Sequence, residues 1–260
     1  MISPELKACL NLLRQTNKLL KKRFSENAAR SISFKSHKEI VTPTDIEVNQ
    51  FITKKLLASF PDDDIVSEEA EFIDRPGSRR WHLDPLDGTT NFAYGLPLFA
   101  TCLGLENKSG IFLGAIGLPL TDEIYYAEKG RGGFLNGKRI SVSKTKEIKA
   151  ALMLICRGHS PAGKKRFKCL LKKFNLGAGR WRILSSAGIE LAAVASGKAD
   201  ACLLSNVNSW DVAAGVILIR EAGGRVTNFQ GKHWQVGDNT LLASNGRIHH
   251  AIITKTKNIY

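Results

Sequence analysis

Leu6, Leu10, Leu13 and Leu20 recur at spacings of four, three and seven among lysines and arginines, which predicts an amphipathic helix over residues 4–23. Thr42-Pro43-Thr44-Asp45 offers N-cap chemistry for a second helix, with a stripe through Phe51, Leu56 and Phe60. Asp62-Asp63-Asp64 breaks that pattern, and Ile65-Val66 reads as a short buried strand. From Trp81 the period becomes that of strands, at 81–83, 99–103, 111–116 and 123–126, separated by Gly, Pro and Asn. Asn136-Gly137 predicts a two-residue hairpin turn ahead of residues 139–142. The second half alternates: strand 151–156, helix 164–174, helix 185–196 stopped by Gly197, strand 200–204, and helix 211–222 ended by Gly223-Gly224. A hairpin near 226–234, a strand at 240–243 and a short final helix follow. The polar stretch 143–149 predicts a seam between an α+β half, 1–145, and an α/β half, 146–260.

Composition narrows the class. A chain of 260 residues with 43 % hydrophobic and 24 % charged content has ordinary globular values, which exclude disorder, collagen and coiled coil. It should bury roughly 70–75 % of its unfolded surface without a staple. The longest mostly apolar stretch, 110–120, is broken by glycines and Pro119, so no membrane association is expected. Pro4, Glu5 and Lys7 stand where a leader would need an apolar run. Five scattered cysteines without a CxxC spacing read as reduced thiols of a cytoplasmic protein. Thirty-eight basic against 24 acidic residues give a net charge of +14, which attracts anions without choosing among nucleic acid, membrane or phosphorylated metabolite.

The chemistry concentrates in Asp84-Pro85-Leu86-Asp87-Gly88-Thr89-Thr90-Asn91-Phe92. Pro85 denies the strand a regular ladder, so the backbone must turn and both acids can face one place. Hard oxygen ligands with room for water suit Mg²⁺, which is completed by substrate phosphate. Gly88 permits close approach of a ligand, and Thr89-Thr90 can open a helix whose N–H groups bind phosphate. An isolated Asp-Gly is usually only a turn. Glu68, after the Ile65-Val66 strand, and Asp211, at the start of a helix, are by themselves a surface acid and an N-cap. Brought together with Asp84 and Asp87, they would form a four-carboxylate cluster that implies bound cations. The six histidines are scattered and read as structural or exposed, so no Ser–His or Cys–His nucleophile stands out.

Glu68-Glu69, the segment from Asp84 to Phe92, and Trp210-Asp211-Val212-Ala213-Ala214-Gly215 together resemble the inositol monophosphatase family over about residues 35–224. The resemblance implies a layered αβαβα sandwich of the sugar-phosphatase type and a Mg²⁺-dependent, lithium-sensitive phosphatase, expected as a homodimer. It implies that Glu68, Asp84 and the Leu86 carbonyl hold one Mg²⁺, and that Asp84, Asp87 and Asp211 hold a second. A third ion would sit near Glu68. Thr89 with Glu68 would orient the attacking water, while Asp87, Gly88, Thr89, Thr90 and Ala187 would contact substrate. Lys35 and Asp45 match supporting residues of the family. The N-terminal half would then carry most metal ligands, and the C-terminal half Asp211 and the substrate pocket.

Two positions depart from the inositol-specific pattern. Leu204 stands where a glutamate would bind a ring hydroxyl, and Ser67 replaces a glycine in a way similar to the bisphosphate nucleotidase branch. Gly88-Thr89-Thr90-Asn91-Phe92 is the inositol-type form. The expected activity is therefore hydrolysis of a small phosphorylated alcohol, inositol 1-phosphate first, with a 3′(2′),5′-bisphosphate nucleotidase as the enzyme alternative. The basic run 164–182 contains eight lysines and arginines and no acid. It reads either as a solvated helix face or as an attractor of polyanions. An RNA- or protein-binding scaffold is the non-enzyme alternative, although no zinc finger or RNP-like motif supports sequence-specific nucleic-acid reading.

Overall fold

The computed structural model describes residues 2–26, 33–34, 40–75, 77–157, 160–174 and 180–259. The first half runs α1 (Pro4–Ser25), β1 (Ser33–Phe34), β2 (Ile40–Val41), α2 (Pro43–Ser59), β3 (Asp64–Ser67), β4 (Ala70–Ile73), β5 (Arg80–Asp87), α3 (Thr89–Ala93), β6 (Ala100–Asn107), β7 (Gly110–Leu118), β8 (Glu123–Glu128), β9 (Gly133–Leu135) and β10 (Lys138–Arg139). The second runs β11 (Leu152–Arg157), α4 (Pro161–Phe174), β12 (Arg180–Arg182), α5 (Ala187–Ala195), β13 (Ala201–Ser205), α6 (Ser209–Glu221), β14 (Arg225–Thr227), β15 (Thr240–Ser244) and α7 (His249–Thr256). An eight-stranded sheet, ordered β10-β9-β8-β7-β6-β5-β3-β4, and a five-stranded sheet, ordered β12-β11-β13-β15-β14, give the molecule its layers.

Helices α1 and α2 cover one face of the large sheet, α5 and α6 lie between the sheets, and α4 and α7 cover the far face of the small one. The arrangement is the αβαβα sandwich that the motifs imply. Three apolar clusters fill its interlayer spaces, centred on Trp81, Leu103 and Leu13 in the first, Leu191 and Val216 in the second, and Phe229 and Leu242 in the third. Among the described residues, no helix is long and apolar enough to cross a membrane.

Local signals account for most boundaries. Ser3 Oγ accepts from the Leu6 N–H at 3.1 Å to cap α1, and Pro4 occupies its first turn. Thr42 and Asp45 form a reciprocal capping box at α2. Asn136 and Gly137 both have positive φ, 46° and 84°, as a two-residue turn between twisted strands requires. Helix α4 begins three residues before the expected 164, because Ser160 Oγ accepts from the Gly163 N–H at 3.0 Å and Pro161 opens the first turn. Of the expected 139–142 strand only Arg139 pairs, as the second residue of β10. The edge strands β4, exposed at three of its four positions, and β12, only three residues long, were not anticipated.

Helix α6 is pressed unusually close to the large sheet, because Gly104 and Gly114 face each other across β6 and β7 beneath it. A Cβ on Gly104 would lie 2.7 Å from the Ala213 Cβ, and one on Gly114 would lie 2.6 Å from the Ala214 carbonyl oxygen. Gly114→Ala should therefore lower stability by about 1–3 kcal/mol, measured as a reduced urea midpoint at unchanged slope.

Candidate active site

Strand β5 delivers two acids to one face through a bulge. Asp84 pairs with Cys102 and Asp87 with Ala100, so three steps along β5 match two along β6. Residues three apart on an unbroken strand point to opposite faces. The extra residue reverses that, and Asp84 and Asp87 share the face toward α5 and α6 while Leu83 and Leu86 share the opposite core. Pro85, with no N–H to lose, sits in the bulge, and its carbonyl accepts from Thr101 Oγ1 at 2.9 Å. Gly88, at φ 87°, turns the chain into α3 where a Cβ would stand 2.7 Å from the Leu98 carbonyl oxygen. Phe92 of α3 is fully buried edge-on to Phe99, with centroids 5.0 Å apart, and anchors the turn.

The other acids arrive from neighbouring elements. Strand β3 runs parallel to β5 with Ser67 opposite Leu83, which sets Glu68 beside Asp84, and the Glu68 N–H donates to the Leu83 carbonyl at 3.2 Å. Asp211 lies three residues into the capping box of α6, where it accepts from the Asn208 N–H at 2.7 Å; Asn208, not Asp211, is the N-cap. His82, two residues before Asp84 on the same face, contacts Ser209 Oγ at 2.9 Å and ties the start of α6 to β5. Oxygen atoms of Glu68, Asp84 and Asp211 consequently lie within 4.8 Å of one another. Asp87 lines the same pocket, but it is held apart from that triple. Its oxygens accept from Ser186 Oγ at 2.5 Å, the Ala187 N–H at 2.9 Å and the Gly188 N–H at 2.8 Å, all at the start of α5.

Burial raises Asp84 well above the usual carboxylate range, and the charges of Glu68, Asp87, Asp211 and Asp45 raise it further. Burial also pushes Asp87 up to about 6, opposed by its three donors. Such a set of oxygen donors, each disfavoured as an isolated anion, fits a hard divalent cation. Asp45 is 1 % exposed and accepts from the Thr42 N–H at 2.8 Å and from Thr42 Oγ1 at 2.5 Å. Its other oxygen accepts from Thr89 Oγ1 at 2.9 Å, and the same hydroxyl lies 3.0 Å from the Leu86 carbonyl.

The pocket over these groups has a volume of about 330 Å³. Glu68, Asp84, Asp87, Gly88, Thr89 and Thr90 form one wall, and Asp211 closes it. The small sheet and its loops supply the other, through Ala187, Cys156, Leu204 and Val207. Lys35, expected near the acids, lies outside the described residues, as do His37 and His159. Of the other histidines, His82 and His249 are buried in hydrogen bonds with hydroxyl groups, and His233 and His250 are exposed. Sequence reasoning missed Ser186, the cap that also binds Asp87, and Glu190, which is fully buried, accepts from the Leu184 N–H at 3.0 Å and is pushed up to about 7 by burial. Ser186 stands directly before an apolar helical run, a capping signal that could have found it. Glu190 carries no such signal.

Five layers with an acid cluster facing a pocket between the sheets define a protein of the sugar-phosphatase fold class. The profile of the inositol monophosphatase family matches residues 2–260, and the chain belongs to that family. It is 35 % identical to a fructose-1,6-bisphosphatase/inositol-1-monophosphatase of Thermotoga maritima, over 94 % of this chain and 92 % of that one. It is 30 % identical to the Nus factor SuhB of Pseudomonas aeruginosa, over 97 % and 96 % of the two chains. Among solved structures, the extragenic suppressor protein SuhB of Bartonella henselae superposes with a TM-score of 0.92 at 29 % identity, covering 98 % of this chain and 99 % of that one. An IMPase of Thermotoga maritima gives 0.88 at 32 %, covering 99 % and 98 %.

The raised Asp84 fixes the sign of a stability effect. Its favourable contribution is complete below the ordinary carboxylate range, near pH 4, and is lost as pH rises through its higher folded-state value. At pH 7.5 in a chelator, Asp84→Asn should therefore raise Tm by about 2–6 °C. Mg²⁺ should stabilise the parent and leave the variant unmoved, as differential scanning calorimetry would record.

Proposed function

We propose that this family phosphatase hydrolyses the phosphomonoester of a small phosphorylated alcohol with one Mg²⁺ held by Glu68, Asp84 and the Leu86 carbonyl and a second by Asp84, Asp87 and Asp211. The observation that carries the reading is the meeting of Glu68, Asp84 and Asp211 oxygens within 4.8 Å. Bound Mg²⁺ supplies positive charge to the phosphoryl oxygens and makes water a better nucleophile at neutral pH. The chain's own groups do the positioning. Thr89 directs its hydroxyl proton into Asp45, which leaves an oxygen lone pair to accept a hydrogen bond from the attacking water; as the water's proton moves to Thr89 Oγ1, the hydroxyl's own proton passes to the Asp45 carboxylate. The first N–H groups of α3 lack acceptors inside that helix and suit phosphate oxygens. Ser186, Ala187 and Gly188 hold Asp87 in place while the leaving alcohol occupies the space over Ala187.

Inositol 1-phosphate is the first candidate substrate, supported by the Gly88–Phe92 segment and the names of the relatives. A nucleotide is the second reading, favoured by the apolar Cys156, Leu204 and Val207 on the wall opposite the acids. Turnover of inositol 1-phosphate, fructose 1,6-bisphosphate and 3′-phosphoadenosine 5′-phosphate, with Mg²⁺ present and absent, tests both. Absence of Mg²⁺-dependent turnover with all three would leave the proposal without support.

Thr89→Ala should lower kcat by about 10²- to 10⁴-fold, the usual range for a positioned proton-transfer group, while the Mg²⁺-induced rise in Tm persists. Leu204→Glu should raise kcat/KM for inositol 1-phosphate by roughly tenfold if a ring hydroxyl reaches that position, since a hydrogen bond to a charged group contributes about 1.5–3 kcal/mol.

A further inference from the structure

A larger cleft, of about 580 Å³, lies where the β6–β7 turn, the last turn of α6 and the 233–236 segment meet. It shares no lining residue with the acid pocket. Helix α6 separates the two, with Asp211 near its start and Arg220 near its end, roughly 14 Å apart at 1.5 Å per residue. Its wall includes the buried Ile111, Ile217 and Trp234, the last only 2 % exposed. Three cations, Lys108, Lys129 and Arg220, border it.

Its two carboxylates are already engaged. Glu106 contacts the His82 ring at 3.2 Å, and Glu221 accepts the N–H groups of Gly130 at 2.9 Å and Gly132 at 2.7 Å. None of the three cations has a carboxylate within ion-pair distance among the described residues. Arg220 is the telling one. Its Nη2 donates to the Trp234 carbonyl at 2.9 Å, and its Nε, like Trp234 Nε1, has no acceptor among the described residues. Burial lowers Arg220, and the Arg220 charge holds His233 below the ordinary imidazole range, as expected where no anion offsets the guanidinium.

We propose that this cleft is a second ligand site, for a small organic anion that sets a flat apolar body against Trp234, Ile111 and Ile217 and its charged group among Arg220, Lys129 and Lys108. A partly desolvated guanidinium without a carboxylate partner, beside two ammonium groups, favours a compact multi-oxygen anion, and the apolar wall favours an attached ring. The acid pocket has the opposite character when free of cations and repels such a ligand.

The probe is naphthalene-1-sulfonate, titrated into the full chain in a chelator, with naphthalene-1-methanol as its neutral counterpart. Indole and imidazole resonances are followed by NMR, and the Trp234 signal is assigned with Trp234→Phe. The sulfonate should shift the Trp234 N–H saturably and move the His233 titration upward, in the parent and in Asp84→Asn alike. Arg220→Gln and the surface change Lys129→Glu should each weaken binding at least tenfold, and the neutral compound should give no saturable shift. Shifts confined to Trp210 of the acid pocket, equal binding of the neutral compound, or unchanged affinity in Lys129→Glu would each overturn the assignment.

Discussion

Repulsion among carboxylates drawn together from separate elements is the constraint around which this molecule is built. Two unit charges about 5 Å apart oppose each other by roughly 3 kcal/mol at an effective dielectric of 20. Nothing in the acids themselves would hold Glu68, Asp84 and Asp211 at that distance. The restraint comes from elsewhere: parallel register fixes Glu68, a bulge turns Asp84 and Asp87 to one face, and a capping box with the His82–Ser209 contact fixes Asp211. Each of these devices works through strand register or through hydrogen bonds to N–H and hydroxyl groups.

The site is therefore electrostatically costly, and hydrogen bonds from the surrounding elements offset part of that cost. Asp87 illustrates the balance, since three donors at the start of α5 lower its cost of ionisation while leaving it on the pocket wall. Two halves of the chain contribute different properties. The large sheet and α3 bring Glu68, Asp84, Asp87 and Thr89 to the pocket and α6 brings Asp211, whereas β11, β13 and the loop into α6 supply Cys156, Leu204 and Val207. Chemistry and selectivity can then vary separately, which fits a family whose members carry names as different as fructose-1,6-bisphosphatase and Nus factor.

The acids were legible because their motifs are contiguous: Asp84 to Phe92 announces a turn, and Trp210-Asp211 a helix start. Their convergence was not derivable from spacing alone; it needed the family resemblance, since register between β3 and β5 is a tertiary property. Elements with a strong period, such as α1 and β6, were visible for the same reason that they are stable, namely a continuous buried face. Strand β4 was invisible because it is exposed at three of its four positions, and β12 because three residues are too few to show a period. Glu190 was unreadable for a different reason. A buried glutamate inside an apolar helical run has no sequence mark that distinguishes it from a solvated one, and only packing against the 184–185 peptides reveals it.

The net charge of +14 and the acid cluster look contradictory until their ranges are compared. The cluster's field acts over a few ångströms, and bound divalent cations would reverse it. The excess of lysine and arginine acts at the surface over about one Debye length, near 8 Å at physiological salt. An anionic substrate approaching the molecule meets the second field first and the first only inside the pocket. Positive charge thus accelerates encounter without deciding where the anion stops. Local structure decides that: the acid pocket turns an anion away unless cations offset its carboxylates, and Arg220 stands at the opposite end of α6. One helix, seated on two glycines, consequently presents an acid of the cluster near its first turn and a cation near its last, in the sense that its own dipole supports at both ends.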